Sequence, residues 1–392
     1  MTTLRNVGRL WSPGEPVRTR VEVVVQDGRI AAVQPSGTAA PEEDDFDCRG
    51  LLLTPGLIDA HTHPLYLRPR LEEVQSRSEG VAYSEIAARG GGILQTVRET
   101  RAADWEELAE AARQRLRGWR LAGTTTAEVK TGYHLKVEDE LSAVSLLCGL
   151  RSEEQLPDLA VTYLAAHDLP PERPLDRAGY VSEVVAGCPR ALALGARSCD
   201  VFCDQGAFTV PEARVILEAA RRAGLRLRIH ADELALTGGS RLAAELGADS
   251  ADHLLRIGGE EAELLSRAGV AATLCPVTAL SMRALPPSRE LLRAGVTLAL
   301  GSDHNPGTSG AGSMSLVVYM AVTQLGLSVD EALAAATLGG ATSLRLPDRG
   351  AVRVGMRADL SLWDADHEGA MGWAPELACV ASWREGRRAA AA

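Results

Sequence analysis

His61 and His63 stand two residues apart in Leu57-Ile58-Asp59-Ala60-His61-Thr62-His63, just after Pro55-Gly56. Alternate side chains of an extended strand share a face, so the two imidazoles can point one way and hold one metal ion. A divalent site needs three or four nitrogen or oxygen donors converging from separate elements. His230, which closes Leu225–Ile229, and Asp303, which follows Val296–Leu300, complete such a set. Three histidines and a carboxylate suit Zn²⁺ or Fe²⁺, and the residue types do not choose between them. Metal-assisted hydrolysis also needs a base for the proton of water and an acid for the leaving nitrogen. Glu233, in His230-Ala231-Asp232-Glu233, and His253, at the end of Gly247–Asp252, are the candidates, and which of them is the base stays open. The expected catalytic set is therefore Glu233, His253 and Asp303, the last doubling as a ligand.

Six of the eight histidines fall at or just past the C-terminal end of a candidate strand. A parallel barrel gathers its active-site residues at that end. Eight candidate strands cover 57–61, 123–129, 159–166, 199–204, 225–230, 248–253, 270–275 and 296–302. Helical spacing of apolar residues marks Trp105–Arg120, Pro211–Ala223, Glu260–Ala268, Ser288–Ala294 and Ser328–Leu344. Gly123, Gly224, Gly269 and Gly295 close helices just before strands. This alternation predicts an α/β fold, a (β/α)₈ barrel over 55–345. No Gly-x-Gly-x-x-Gly follows a strand, which removes the dinucleotide-binding alternative. Gly90-Gly91-Gly92 reads as a hinge rather than an anion cradle.

Both ends of the chain are β-patterned. Val21–Gln26 and Arg29–Val33 flank Asp27-Gly28, a two-residue hairpin signal, and Gly350–Trp363 and Ala378–Trp383 return to strand-like sequence. Segments 1–54 and 346–392 are expected to form one small β-sandwich domain. Aromatics make up only 4% of the residues against 46% hydrophobic, so the core must be aliphatic. A net charge of -11 argues against nucleic-acid or anionic-membrane partners, and an acidic substrate would need a local positive group. Seven dispersed cysteines, no signal-like opening and no long apolar run point to a cytoplasmic protein.

The motifs as a set resemble the amidohydrolase superfamily and, within it, the imidazolonepropionase family. The carriers are Pro55–His63; Gly90–Ile93 with Thr100-Arg101-Ala102; Gly123–Tyr133; Asp200–Cys203; His230–Glu233; Ser250–Leu254; and Asp303–Gly307. The resemblance implies ring opening of 4-imidazolone-5-propanoate by water to N-formimidoyl-L-glutamate, in histidine degradation. It implies one metal ion, zinc or iron, on His61, His63, His230 and Asp303. It implies substrate contacts from Arg70, Tyr83, Tyr133, His167, Glu233, Asn305, Gly307 and Thr308. Arg70 would offer its planar fork to the propionate carboxylate, with Tyr83, Tyr133 and His167 as hydrogen-bond donors and Asn305 holding ring nitrogens. Lys130 is expected to position its strand electrostatically rather than to carry a bridging carbamate. A homodimer is permitted. The chain departs from the family pattern at Pro64–Pro69, at His134 and at His304, beside the expected substrate. A related deaminase and a non-catalytic binding barrel are the competing readings.

Overall fold

A computed structural model describes residues 1–81, 85, 86 and 89–390. Its centre is one eight-stranded parallel sheet in sequential order. The strands are β1 Leu57–Asp59, β2 Thr124–Lys130, β3 Asp158–Ala166, β4 Ser198–Cys203, β5 Arg226–Ala231, β6 Ser250–His253, β7 Ala271–Leu274 and β8 Leu298–Leu300. The first and last meet beyond their ends. The Ala60 N–H donates to Leu300 O at 3.1 Å, that of Asp303 to His61 O at 2.9 Å, and that of His63 to His304 O at 2.9 Å. These bonds close the barrel and set the chains bearing His61, His63 and Asp303 against one another.

Both histidines therefore lie past β1, whereas the expected strand 57–61 would have ended on His61. β1 is only three residues long because its successor backbone turns to pair with the loop after β8. Helices follow the strands, among them Trp105–Leu121, Val210–Ala223 and Gly259–Ala268. The glycines that end them, Gly123, Gly224 and Gly269, hold left-handed φ of 93°, 99° and 66°, which a side chain would strain. The expected helix 328–344 is broken internally. It runs as α-helix Val329–Ala334, a π-helical turn Ala335–Gly339 and α-helix Gly340–Ser343. At Gly339 the turn passes so near β8 that a Cβ would stand 2.0 Å from Leu298 O, so this stretch is shaped by contact with the barrel.

The chain ends form a second, mixed sheet that joins both termini. Its strands are Thr2–Leu10, Arg18–Gln26, Arg29–Pro35, Phe46–Asp47, Leu52–Pro55, Leu360–Trp363, Cys379–Arg384 and Arg387–Arg388. The Asp27-Gly28 turn has both φ positive, at 51° and 74°, as the hairpin reading requires. Gly350–Val354 makes no strand. Instead the segment after it ties down the Arg29–Pro35 edge, with Gly355 N–H on Ile30 O at 2.8 Å and Ala358 N–H on Gly28 O at 2.9 Å. One hydrogen-bonded sheet thus wraps around its own core of Leu4, Val23, Leu53, Leu360 and Trp383. Arg120, from the barrel, joins the two parts through Ser382 O at 3.2 Å. Among the described residues no helix is long and apolar enough to cross a membrane.

Candidate metal centre and substrate cavity

The barrel mouth brings the four expected ligands together. His61 Nε2 lies 3.2 Å from His63 Nε2 and 3.6 Å from Asp303 Oδ1, and His63 Nε2 lies 3.5 Å from the same oxygen. One nitrogen from each of His61, His63 and His230 falls within 4.8 Å of the others. His230 is 3% exposed, yet its Nε2 has no hydrogen-bond partner among the described residues. A buried nitrogen left bare costs free energy, so convergence of such donors fits a cation held by three nitrogens and one carboxylate oxygen. Asp303 takes a hydrogen bond from Thr278 Oγ1 at 2.6 Å, and burial lifts its carboxyl to about 6. Asp303 and His253 both hold positive φ, 46° and 73°, a strained conformation common at functional sites.

Beneath the ligands lies a layer that sequence reading missed. The His61 Nδ1–H donates to Asp252 Oδ2 at 2.7 Å, and His230 Nδ1 stands 3.0 Å from Asp200 Oδ2. A carboxylate on one ring nitrogen fixes the tautomer and turns the other toward the metal. Lys130 Nζ reaches Asp200 Oδ2 at 2.6 Å, Glu128 Oε1 at 2.9 Å and Asp252 Oδ2 at 3.6 Å. Arg228 Nη2 reaches Asp252 Oδ2 at 3.3 Å. Burial opposes the Lys130 charge, but these carboxylates outweigh it and raise its pKa. The ammonium thereby ties both orienting aspartates together, in keeping with the electrostatic role expected of it. The missed signal was present: Glu128, Asp200, Arg228 and Asp252, like Lys130, are charged residues inside strands that a parallel barrel buries on both faces.

The base and acid candidates sit beside the ligands. His253 Nδ1 is 3.7 Å from Glu233 Oε1. Burial, with His230 adding, lowers the His253 pKa to about 3, so the ring is neutral. Burial and the charges of Asp303 and Asp204 push the Glu233 carboxyl well above its usual range. Asp204 places Glu233 by accepting its backbone N–H at 2.6 Å and that of Leu234 at 2.9 Å.

A cavity of about 310 Å³ opens above, lined by His63, Arg70, Tyr133, His167, Glu233 and Asn305 among others. Arg70 is 5% exposed, so its guanidinium is held inside the protein. Its Nε pairs with Glu73 Oε1 at 3.0 Å and its Nη1 donates to Thr96 Oγ1 at 2.7 Å. Glu73 in turn accepts the Gly92 N–H at 2.6 Å, so the triple-glycine run serves the arginine's partner. Tyr133 tilts against His63 at 5.8 Å and His167 at 5.3 Å between ring centres.

His167 differs from its expected donor role. Its Nδ1–H is committed to Gly132 O at 3.0 Å and burial lowers its pKa to about 3, so Nε2 is left as an acceptor. Asn305 differs too. Its side chain is used within its own loop, donating to Asp303 O at 2.6 Å and accepting from the N–H groups of Gly307 and Thr308 at 2.8 Å each. It shapes the cavity wall rather than presenting free amide groups. At Gly307 a Cβ would meet the Arg70 guanidinium, so a side chain there would have to shift the arginine. Thr308 lines the cavity. Tyr83 lies outside the described residues.

Two departures from the family pattern turn out to be one contact. Tyr66 O–H donates to His304 Nε2 at 2.9 Å, while His304 Nδ1–H donates to Ala311 O at 2.9 Å. His304 is 9% exposed, so it neither points to the surface nor offers a proton to the site. Arg115 pins the Pro64–Pro69 loop by donating to Pro64 O at 2.9 Å and Tyr66 O at 2.6 Å. The third, His134, stacks on Trp105 at 4.7 Å.

A closed parallel barrel carrying convergent histidines and an aspartate at its mouth defines a hydrolase of the metal-dependent barrel type. A model of the Amidohydrolase family matches residues 72–389. An imidazolonepropionase from Rubrobacter xylanophilus is 46% identical over 354 residues, covering 88% of this chain and 84% of that protein. One from Syntrophobacter fumaroxidans is 42% identical over 355 residues, with the same coverages. A zinc-bound adenosine deaminase from Xanthomonas campestris shares the fold, with a TM-score of 0.77 at 19% identity over 99% of this chain and 92% of that one. This chain belongs to the imidazolonepropionase family of amidohydrolases.

Proposed function

We propose that the protein opens the ring of 4-imidazolone-5-propanoate with water to give N-formimidoyl-L-glutamate. The observation that carries this reading is one cavity with a cation-ready donor set at its floor and a buried arginine in its wall. Its relatives named imidazolonepropionase supply the substrate class. A single zinc or iron ion on His61, His63, His230 and Asp303 would supply Lewis acidity, lowering the pKa of water and polarising the ring carbonyl.

The rest of the chemistry belongs to the chain. Arg70, already oriented by Glu73 and Thr96, presents its remaining guanidinium edge to the propionate carboxylate. His167 Nε2 accepts a ring N–H, and Tyr133 walls the ring on the His63 side. Neutral His253 takes the proton of the attacking water, and protonated Glu233 gives one to the departing ring nitrogen. Their opposite pKa directions support this division into base and acid. The remaining hydroxyl adds to the carbonyl carbon and the C–N bond breaks, its electron pair taking the Glu233 proton; the proton held by His253 restores Glu233, and the new carboxylic acid releases the second proton of water to solvent.

The Tyr66–His304 pair and the Arg115-pinned loop stand behind the cavity wall, which supports the family substrate in spite of the departures. The same reading carries a cytoplasmic location and no nucleic-acid or membrane partner, and it permits a homodimer. The test joins metal analysis to loss of the substrate's ultraviolet absorbance. Formimidoylglutamate without ammonia supports the proposal. Ammonia release would replace it with a deaminase, and bound metal without turnover on this ring would overturn the substrate.

A further inference from the structure

Cys275 is a reactive side chain at the barrel mouth that the proposed chemistry does not use. It directly follows β7, as His253 ends β6 and His61 follows β1. One donor atom from each of Cys275, His61 and His253 lies within 4.8 Å of the other two. All three are at most 2% exposed. Both ring nitrogens of His253 lack a hydrogen-bond partner among the described residues, although the ring is buried. An orphaned imidazole and a buried thiol facing one ligand histidine form a second donor set from three different strands, independent of His63, His230 and Asp303.

We propose that Cys275, His253 and His61 form a second, softer cation position in the barrel mouth that takes a thiophilic divalent ion. The inference rests on the metal reading above, because the two positions share His61. Sharing makes them alternatives: one ion sits either with the nitrogen-and-carboxylate set or with the thiolate set. Softness decides between them, since thiolate favours zinc-like and softer ions over harder ones. On binding, the Cys275 S–H bond breaks, sulfur keeps the electron pair and donates it to the cation, and the proton leaves to solvent. An ion held there engages His253, so it withdraws the group assigned as base. A thiophilic ion is therefore expected to inhibit by changing position, with no need to displace substrate.

The test uses the full chain, stripped of metal by chelation and titrated with Cd²⁺ alone. Cadmium bound to sulfur gives an ultraviolet thiolate-to-metal absorption that nitrogen and oxygen ligands do not. The expected result is this absorption in the unaltered protein, rising with bound cadmium and reaching a plateau at about one ion per chain. In Cys275→Ser the absorption is lost and cadmium affinity falls about 10–100-fold. In His63→Ala the absorption survives, because His63 belongs only to the first set. Cadmium binding to the unaltered protein without the absorption would overturn the inference and leave the metal reading intact. Failure to bind cadmium, zinc or iron at all would overturn both. Since the decisive spectrum comes from the unaltered chain, a misfolded variant cannot rescue the proposal.

Discussion

The layer under the metal ligands and the cavity above them treat polar groups in opposite ways. Below, five charged side chains at 0–1% exposure bind one another: Glu128, Lys130, Asp200, Arg228 and Asp252. Above, His230 Nε2 and both nitrogens of His253 are buried with no partner among the described residues. Buried charge is costly unless it is paired, and buried polar atoms left bare at a site suit a partner that arrives from outside. The lower layer thus fixes direction, through Asp252 on His61 and Asp200 beside His230, and the upper one keeps valence open for a cation and a substrate.

Removing an upper group should abolish chemistry, whereas removing a lower one should cost stability and ligand orientation together. His230→Ala is expected to have the largest effect, taking metal content and turnover to background while the fold persists; elemental analysis beside an activity assay checks it. His230→Ala that kept its metal would break the distinction. His253→Ala should keep the metal and lose about 10²–10⁴ in kcat, the usual worth of a positioned base. Full kcat in that variant would show that the open nitrogens serve binding alone.

Lys130→Met attacks the lower layer. It leaves Asp200 and Glu128 without their nearest cation, and loss of one partner of a buried pair costs about 3–5 kcal/mol. Thermal unfolding of the metal-free protein reads that cost directly. If the network also aims the ligands, metal affinity should drop 10–100-fold in the same variant. Stability lost without any change in affinity would sharpen the comparison, making the layer a scaffold only.

What was legible in the sequence follows the same division. His61, His63, His230, His253 and Asp303 announce themselves because they fall at strand ends of the barrel, two after β1 and one each at β5, β6 and β8. The strands were visible because alternation with helices is a long-range pattern that tolerates small boundary errors. Pairings between strands were not visible. That Asp252 faces His61, 191 positions away, depends on the register of the closed sheet, and no local signal encodes it. Partner choice was hidden for the same reason at Arg70, expected in the substrate site, where Glu73 and Thr96 orient its guanidinium. Asn305 and His167 were recognised as cavity residues, but their hydrogen-bond roles depended on backbone atoms of their own and neighbouring loops.

Arg70 lies between the two regimes, since it is partly satisfied and still open. Arg70→Met should raise KM and lower kcat/KM about 10–100-fold, the loss of one charge-assisted hydrogen bond worth roughly 1.5–3 kcal/mol. The loss should vanish for an analogue lacking the carboxylate, which separates anchoring from damage to the loop.

The smallest effect is expected behind the wall. His304 is satisfied on both ring nitrogens, so it belongs with the lower layer in logic although it sits beside Asp303 in sequence. Burial lowers its pKa from 6.5 to about 4. On acidification the unfolded chain takes up a proton near 6.5 while the folded one resists until about 4, so stability falls as pH drops through that window. At pH 5 this difference amounts to about 2 kcal/mol. His304→Gln keeps an acceptor for Tyr66 and cannot be protonated. Its deficit at neutral pH should be near 1 kcal/mol, the worth of an imperfect hydrogen bond, and should shrink or reverse by pH 5. Thermal unfolding of both proteins across that range decides it, with kcat unchanged at neutral pH. A gap that widens on acidification would mean His304 is charged in the folded state, which would move it from the closed set of groups to the open one.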